Sequence, residues 1–123
     1  MGNLLYEELS YTIIGAAMEV HKILGPGYLE QVYEGALMHE LRLRKVDVAN
    51  QLKLPVRYKE VEVGFYIADL VVEDKIIVEL KAISQLGRIH EAQAINYLAT
   101  TGYRLAPLVN FGRRKLEYKR LVR

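Results

Sequence analysis

Apolar positions follow helical spacing early in the chain and strand spacing later. Leu9, Ile13, Ala16, Val20 and Ile23 recur at intervals of three and four, predicting a helix over residues 4–24. Gly25-Pro26-Gly27 ends it. A second helix over residues 28–45 carries Tyr33, Leu37 and Leu41 on one stripe. Glu30 lies on the same side, one turn before Tyr33 and Glu34. The spacing then changes. Residues 46–48 and 52–58 are short and partly β-branched, predicting a strand at about 53–59, an edge strand because of Pro55. Two strongly apolar runs from Val61 to Lys81 flank Glu73-Asp74-Lys75 and predict a β-hairpin. Residues 87–101 return to helical spacing. Ile89, Ala92, Ile95 and Ala99, with Leu98 nearby, form an apolar side there, and His90, Gln93 and Tyr97 a separate polar stripe. Gly102 suits a C-cap. Residues 105–111 read as a strand, with Pro107 pointing to an edge or a strand start, and 116–122 as a final basic strand or tail. The expected fold is α/β (α+β), one domain over residues 1–123, in the order α-α-β-β-β-α-β-β.

Three charges break the apolar hairpin: Asp69, Glu79 and Lys81. Strands this apolar are expected to be buried on both faces, where a charge is costly unless paired or metal-bound. Glu79 and Lys81 share a face because side chains alternate. If the hairpin centres on Asp74, residues whose numbers sum to 148 oppose one another, and Asp69 meets Glu79. Opposed carboxylates repel unless a cation lies between them or one holds a proton. A divalent cation with oxygen ligands suits such a pair. A two-residue turn would put Asp69 on the other face, so this reading needs a three- or five-residue loop or a bulge.

Totals narrow the classes. The 123 residues suffice for one domain with a real core. Half of the chain is apolar, yet no run reaches membrane-spanning length and no signal-peptide pattern opens it, so a cytoplasmic protein without a membrane partner is expected. Cysteine is absent, which excludes disulfides and thiolate metal sites. The net charge of +2 is small, but its distribution is uneven. Arg113, Arg114, Lys115, Lys119, Arg120 and Arg123 crowd the C-terminal end against Glu117, and Arg42, Arg44 and Lys45 form a second cluster. Each reads either as an electrostatic footprint or as a solvated surface. His21, His39 and His90 lack zinc-site spacing. Gly25-Pro26-Gly27 lacks the lysine of a phosphate-binding loop.

Two carboxylates on neighbouring strands can bind one or two Mg²⁺ or Mn²⁺ ions. A Lys two residues past the Glu can then orient or deprotonate a water, or face charge building on a phosphate. That is the chemistry of phosphodiester hydrolysis. As a bare pattern, Asp-x9-Glu-x-Lys also fits an ion-pair cluster with Lys81 neutralising Glu79. Taken alone, Glu30 is better explained by the preference for acids at a helix N-terminus.

Longer stretches resemble a known family. Gly27-Tyr28-Leu29-Glu30-Gln31-Val32-Tyr33 matches the Gly-x-x-Glu-x-x-Tyr signature of the GxxExxY proteins. The resemblance continues through 54–59, Asp69-Leu70-Val71-Val72, Val78-Glu79-Leu80-Lys81-Ala82, the 90–98 segment and Asn110-Phe111-Gly112. That family looks like a compact branch of the PD-(D/E)XK nuclease superfamily. The resemblance implies a restriction-endonuclease-like mixed sheet flanked by helices and a metal site on the central hairpin. It assigns metal to Asp69 and Glu79, water activation to Lys81, and completion of the site to Glu30 on the preceding helix. Gln93-x-x-x-Tyr97 is similar to the helix motif of the RecB-like and Cas4-like exonucleases, which borders the active site and touches DNA. Arg88 and His90 are expected to hold phosphates beside it. Ala68 stands where the superfamily name has Pro, and Ala106-Pro107 replaces an expected glycine-containing stretch.

The leading expectation is a Mg²⁺- or Mn²⁺-dependent nuclease acting on DNA. Beside it stand a nucleic-acid- or protein-binding module that keeps the fold without useful turnover, and a protein whose charges form only an ion-pair network. At this length, substrate specificity would come from a homo-oligomer or an accessory protein.

Overall fold

The computed structural model describes residues 5–123. Its elements are α1 (Glu7–Leu24), α2 (Glu30–Leu43), β1 (Val48–Tyr58), β2 (Val61–Val72), β3 (Ile76–Lys81), α3 (Arg88–Thr101), β4 (Leu105–Asn110) and β5 (Glu117–Val122), in the order expected from the sequence. Leu4, the expected first residue of the first helix, lies outside the described residues. None of the described helices is long and apolar enough to cross a membrane.

The five strands form one mixed sheet in the order β1-β2-β3-β4-β5. Among the described residues only β3 and β4 run parallel, and α3 is the crossover that such a pair requires. Helices α1 and α2 bury Ile13, Ala16, Val20, Tyr33, Leu37 and Leu41 against one face of the sheet. On the other face, α3 buries Ala94 and Leu98 against Val71, Ile77 and Leu108. Strand β3 lies in the middle and is buried from Ile76 to Leu80. Any charge placed there is therefore held between two apolar layers.

Several expectations need correction. Ile23 is 69% exposed, because the buried stripe of α1 runs through Ala17 and Val20 instead. Helix α3 is turned from its expected orientation. Ile89, Ala92, Ile95 and Ala99 face solvent, and Ala94 and Leu98 make the contact. Its sequence holds alanines and isoleucines on several sides, so spacing alone did not single out the buried one. Strand β1 starts at Val48 rather than 53, since Val48, Ala49 and Asn50 pair with Val72, Val71 and Leu70. Pro55 does lie on an edge strand, but Pro107 lies in an interior one. The β3–β4 ladder tolerates it by lapsing between Ile76↔Leu105 and Glu79↔Leu108, where a missing N–H costs nothing. Finally, Phe65 (56% exposed) and Ile67 (45%) are not buried on both faces. The β1–β2 hairpin projects beyond α1 and α2, which cover β2 only at Leu70 and Val72.

Candidate active site

The β2–β3 connection has the parity that the charges require. Observed pairs are Leu70↔Val78, Val71↔Ile77 and Val72↔Ile76, each summing to 148 and leaving a three-residue loop. Glu73 and Asp74 both take left-handed backbone conformations, and the Lys75 N–H closes onto the Val72 carbonyl at 2.9 Å. Two left-handed central residues make the turn that fits strand twist, and Lys75 supplies the odd residue. Asp69 and Glu79 come next in this register. The ladder stops there, and the Asp69 carboxylate accepts the Leu80 N–H at 2.9 Å instead. The carboxylate thus replaces the carbonyl that would have continued the sheet.

A shared kink explains where Asp69 sits. Tyr66 and Ala68 pack on the α3 side, whereas Leu70 and Val72 pack on the α1–α2 side. Strand β1 switches likewise, from Val48 on one side to Leu52, Leu54 and Val56 on the other. Asp69 and Gln51 stand at the switch, and Gln51 has a positive φ of 51°. A non-glycine residue in that region costs on the order of 1–3 kcal/mol. The Gln51 amide offsets part of this cost by donating to Glu34 at 2.6 Å, and it also hydrogen-bonds Asp69. Two recesses flank this switch, and Asp69 lines the one on the α2 side. One is a cleft of about 340 Å³ on the α3 side, lined by Tyr66, Glu79, Lys81, His90, Gln93 and Tyr97 among others. The second, on the α2 side, is lined by Glu30, Glu34, Gln51 and Asp69.

Electrostatics set these carboxylates apart. Glu79 is 8% exposed. Burial pushes its pKa up to about 7, with the Asp69 charge adding to the rise, against the lowering effects of the Tyr66 hydroxyl, Lys81 and the Asp69 N–H. Burial also raises Asp69, opposed first by its bond to Leu80. Glu30 is raised by partial desolvation and then by Asp69, while Lys81 pulls it down. Among the described residues, the ion pairs are Arg44–Glu40, Arg113–Glu117 and Lys119–Glu91. Lys81 does not close on either carboxylate, so the simple ion-pair cluster is not what these charges form. They are oxygen donors of the hard type that Mg²⁺ and Mn²⁺ take; Glu79 is buried, Asp69 half-buried and Glu30 exposed. Among the described residues, no three Asp, Glu or His side chains converge on one point. Asp69 and Glu79 are donors whose chemistry suits such a cation, and Glu30 shares the α2-side recess with Asp69.

Each remaining candidate has a definite place. Tyr97 stacks on Tyr66, with ring centroids 3.6 Å apart. Gln93 lines the same cleft one turn earlier. His90 also lines it, but its Nδ1 accepts the Gly87 N–H at 2.9 Å and so caps α3, leaving only Nε2 for a ligand. Arg88 is exposed at the start of α3. His21 is buried and binds the Arg113 carbonyl, and His39 is exposed.

The Gly-x-x-Glu-x-x-Tyr segment acts through two of its residues to place the third. Gly27 has φ 111°, a conformation that favours glycine. Tyr33 is fully buried, donates its hydroxyl to the Gly25 carbonyl at 2.6 Å and accepts the Tyr28 N–H at 3.1 Å. Its ring stacks on Phe111, with centroids 4.6 Å apart. Together they fix the start of α2, where Glu30 stands.

Sequence reasoning missed Tyr66, whose hydroxyl donates to Glu79. Strict alternation places an even-numbered residue opposite Asp69 and Glu79, and only the kink at residue 69 brings it round. It also missed Glu34 and Gln51, because the left-handed conformation of Gln51 leaves no mark in the apolar pattern.

Comparison with curated protein sequences gives no match. Among solved structures, the chain is similar to an alkaline exonuclease from Laribacter hongkongensis, at 12% identity and a TM-score of 0.46, covering 100% of this chain and 72% of that one. The model of the PD-(D/E)XK nuclease superfamily matches residues 7–121. Members of that superfamily generally use divalent metals. With nearly its whole length matched, the chain belongs to the PD-(D/E)XK nuclease superfamily.

Proposed function

We propose that this protein is a Mg²⁺- or Mn²⁺-dependent nuclease that hydrolyses phosphodiester bonds of DNA, within the compact GxxExxY branch of its superfamily and with the Gln-x-x-x-Tyr helix of the RecB-like and Cas4-like exonucleases. The observation that carries this reading is the Glu79 carboxylate, buried beside Asp69 with Lys81 near but not paired to it. Asp69 and Glu79 would hold the cation, and Glu30 would reach it through water. The cation, when bound, supplies Lewis-acid polarisation of the phosphoryl group. Lys81 orients the attacking water and faces the charge that builds on the phosphate. Gln93 and Tyr97 border the scissile strand, and Arg88 and His90 hold flanking phosphates. The setting is cytoplasmic, with a second copy or an accessory protein adding specificity.

The test is to incubate purified protein with single- and double-stranded DNA and Mn²⁺. Cleavage should occur, and Glu79→Ala and Lys81→Ala should each reduce it at least a hundredfold. Equal cleavage by those variants would refute the site. Metal-independent DNA binding with no cleavage above the Glu79→Ala level would favour a binding module instead.

A further inference from the structure

Of the two basic clusters, only one lies at the site's end of the sheet. Asn110 is the parallel-register partner of Lys81, and the Phe111 N–H binds the Lys81 carbonyl at 2.8 Å. The basic loop at 112–116 follows directly. Arg114 is four residues past Asn110, which keeps its Cα within roughly 14 Å of it. By contrast, Arg42 is twelve residues along α2 from Glu30, about 18 Å away at helical rise.

This loop is held from several sides. Asn110 is fully buried, and its Oδ1 accepts the N–H of Ile83 at 2.9 Å and of Gly112 at 3.0 Å. Its amide donates to the Ile83 carbonyl and to Glu117, both at 3.0 Å. Gly112 packs so closely on Ile83 that a Cβ would lie 2.2 Å from the Ile83 carbonyl oxygen. From the other side, His21 Nε2 donates to the Arg113 carbonyl at 2.7 Å. The backbone is fixed, yet Arg113, Arg114 and Lys115 are exposed around an open groove of about 840 Å³ that Ser84 and Gly112 also line. Arg113 is partly engaged by Glu117 at 3.5 Å, and Arg114 and Lys115 form no ion pair among the described residues. A loop with an ordered backbone and free cationic heads loses little entropy on gripping a polyanion.

We infer that the 112–116 loop grips the phosphodiester backbone of a nucleic-acid strand just beyond the scissile position, with Arg114 and Lys115 as its main phosphate contacts. This rests on the nuclease reading for its partner but not for its test.

Binding of a fluorescent single-stranded oligonucleotide is measured by anisotropy in EDTA over a salt series. The proteins are wild type, Arg114→Gln/Lys115→Gln, and Arg42→Gln/Lys45→Gln as the remote control. The loop variant should bind at least tenfold more weakly at low salt. Its log–log salt slope should be shallower by about 1.4, two phosphate contacts at roughly 0.7 each. The control should match wild type. An unchanged slope in the loop variant, an equal loss in both variants, or no wild-type binding overturns the inference. So does wild-type binding of polyglutamate as tight as that of the oligonucleotide, which would make the partner an acidic protein. Cleavage is scored separately, as Mn²⁺-dependent hydrolysis of a thymidine nitrophenyl phosphodiester too small to reach the loop. If wild type leaves it intact while the loop variant still loses binding, the nuclease reading fails and the loop assignment stands.

Discussion

The hydroxyl of Tyr66 donates to the Glu79 carboxylate while its ring stacks on Tyr97. A residue from the projecting hairpin is thus fixed by α3 and in turn fixes a metal-ligand candidate on β3. Tyr66→Phe keeps the stack and removes only the donor. Outer-shell partners of this kind change metal affinity by about 10–100-fold when removed. We expect Mn²⁺ affinity to fall by that amount in calorimetric titration, with the melting temperature little changed. Unaltered affinity would make Tyr66 a packing residue only.

Glu79 gives a pH signature. Its ordinary pKa of 4.5 rises to about 7 in the folded chain, so the native state binds the proton more tightly than the unfolded state. Stability then falls as pH rises from about 4.5 to about 7, and the full loss is present above that window. The size is roughly 3 kcal/mol at 1.36 kcal/mol per unit. Glu79→Gln cannot ionise and can still accept from Tyr66. Urea denaturation without divalent metal should show it more stable than wild type at pH 8 and equal at pH 4. A variant less stable at pH 8 would contradict this.

Tyr33 links packing to the site. Tyr33→Phe keeps the stack on Phe111 but frees the Gly25 carbonyl and the Tyr28 N–H. The expected cost is about 1–3 kcal/mol. Cleavage should also drop, because Glu30 stands on the turn that this hydroxyl holds. Denaturation and a cleavage assay at one temperature separate the two effects.

Much of this arrangement was legible in the chain. The order of elements, an odd-numbered hairpin loop as one of the options, and the stripe of Tyr33, Leu37 and Leu41 follow from periodicity and parity; that the loop has three residues comes from the observed pairing. The orientation of α3 did not, because its apolar residues are spread round the helix and the sheet chooses among them. Nor did Tyr66 or Gln51, because the kink at residues 51 and 69 reverses the faces in both strands while leaving their register intact. A switch shared by two paired strands changes no spacing in either one.

Gly112 tests the mounting of the basic loop. Its backbone is not left-handed, so the constraint is space rather than conformation. Gly112→Ala drives a methyl against the Ile83 backbone and should cost about 1–3 kcal/mol, or more if β4 cannot shift. Thermal denaturation measures it, and a neutral result would mean that Ile83 and Gly112 separate easily.

Whether the hairpin charges are a metal site or a structural cluster is decided most directly by Mn²⁺ titration calorimetry at pH 8. The wild type should show saturable binding. Asp69→Asn and Glu79→Gln should each abolish it, and Lys81→Met should retain it while losing cleavage. No saturable binding by the wild type, or equal binding by Asp69→Asn and Glu79→Gln, would contradict the account.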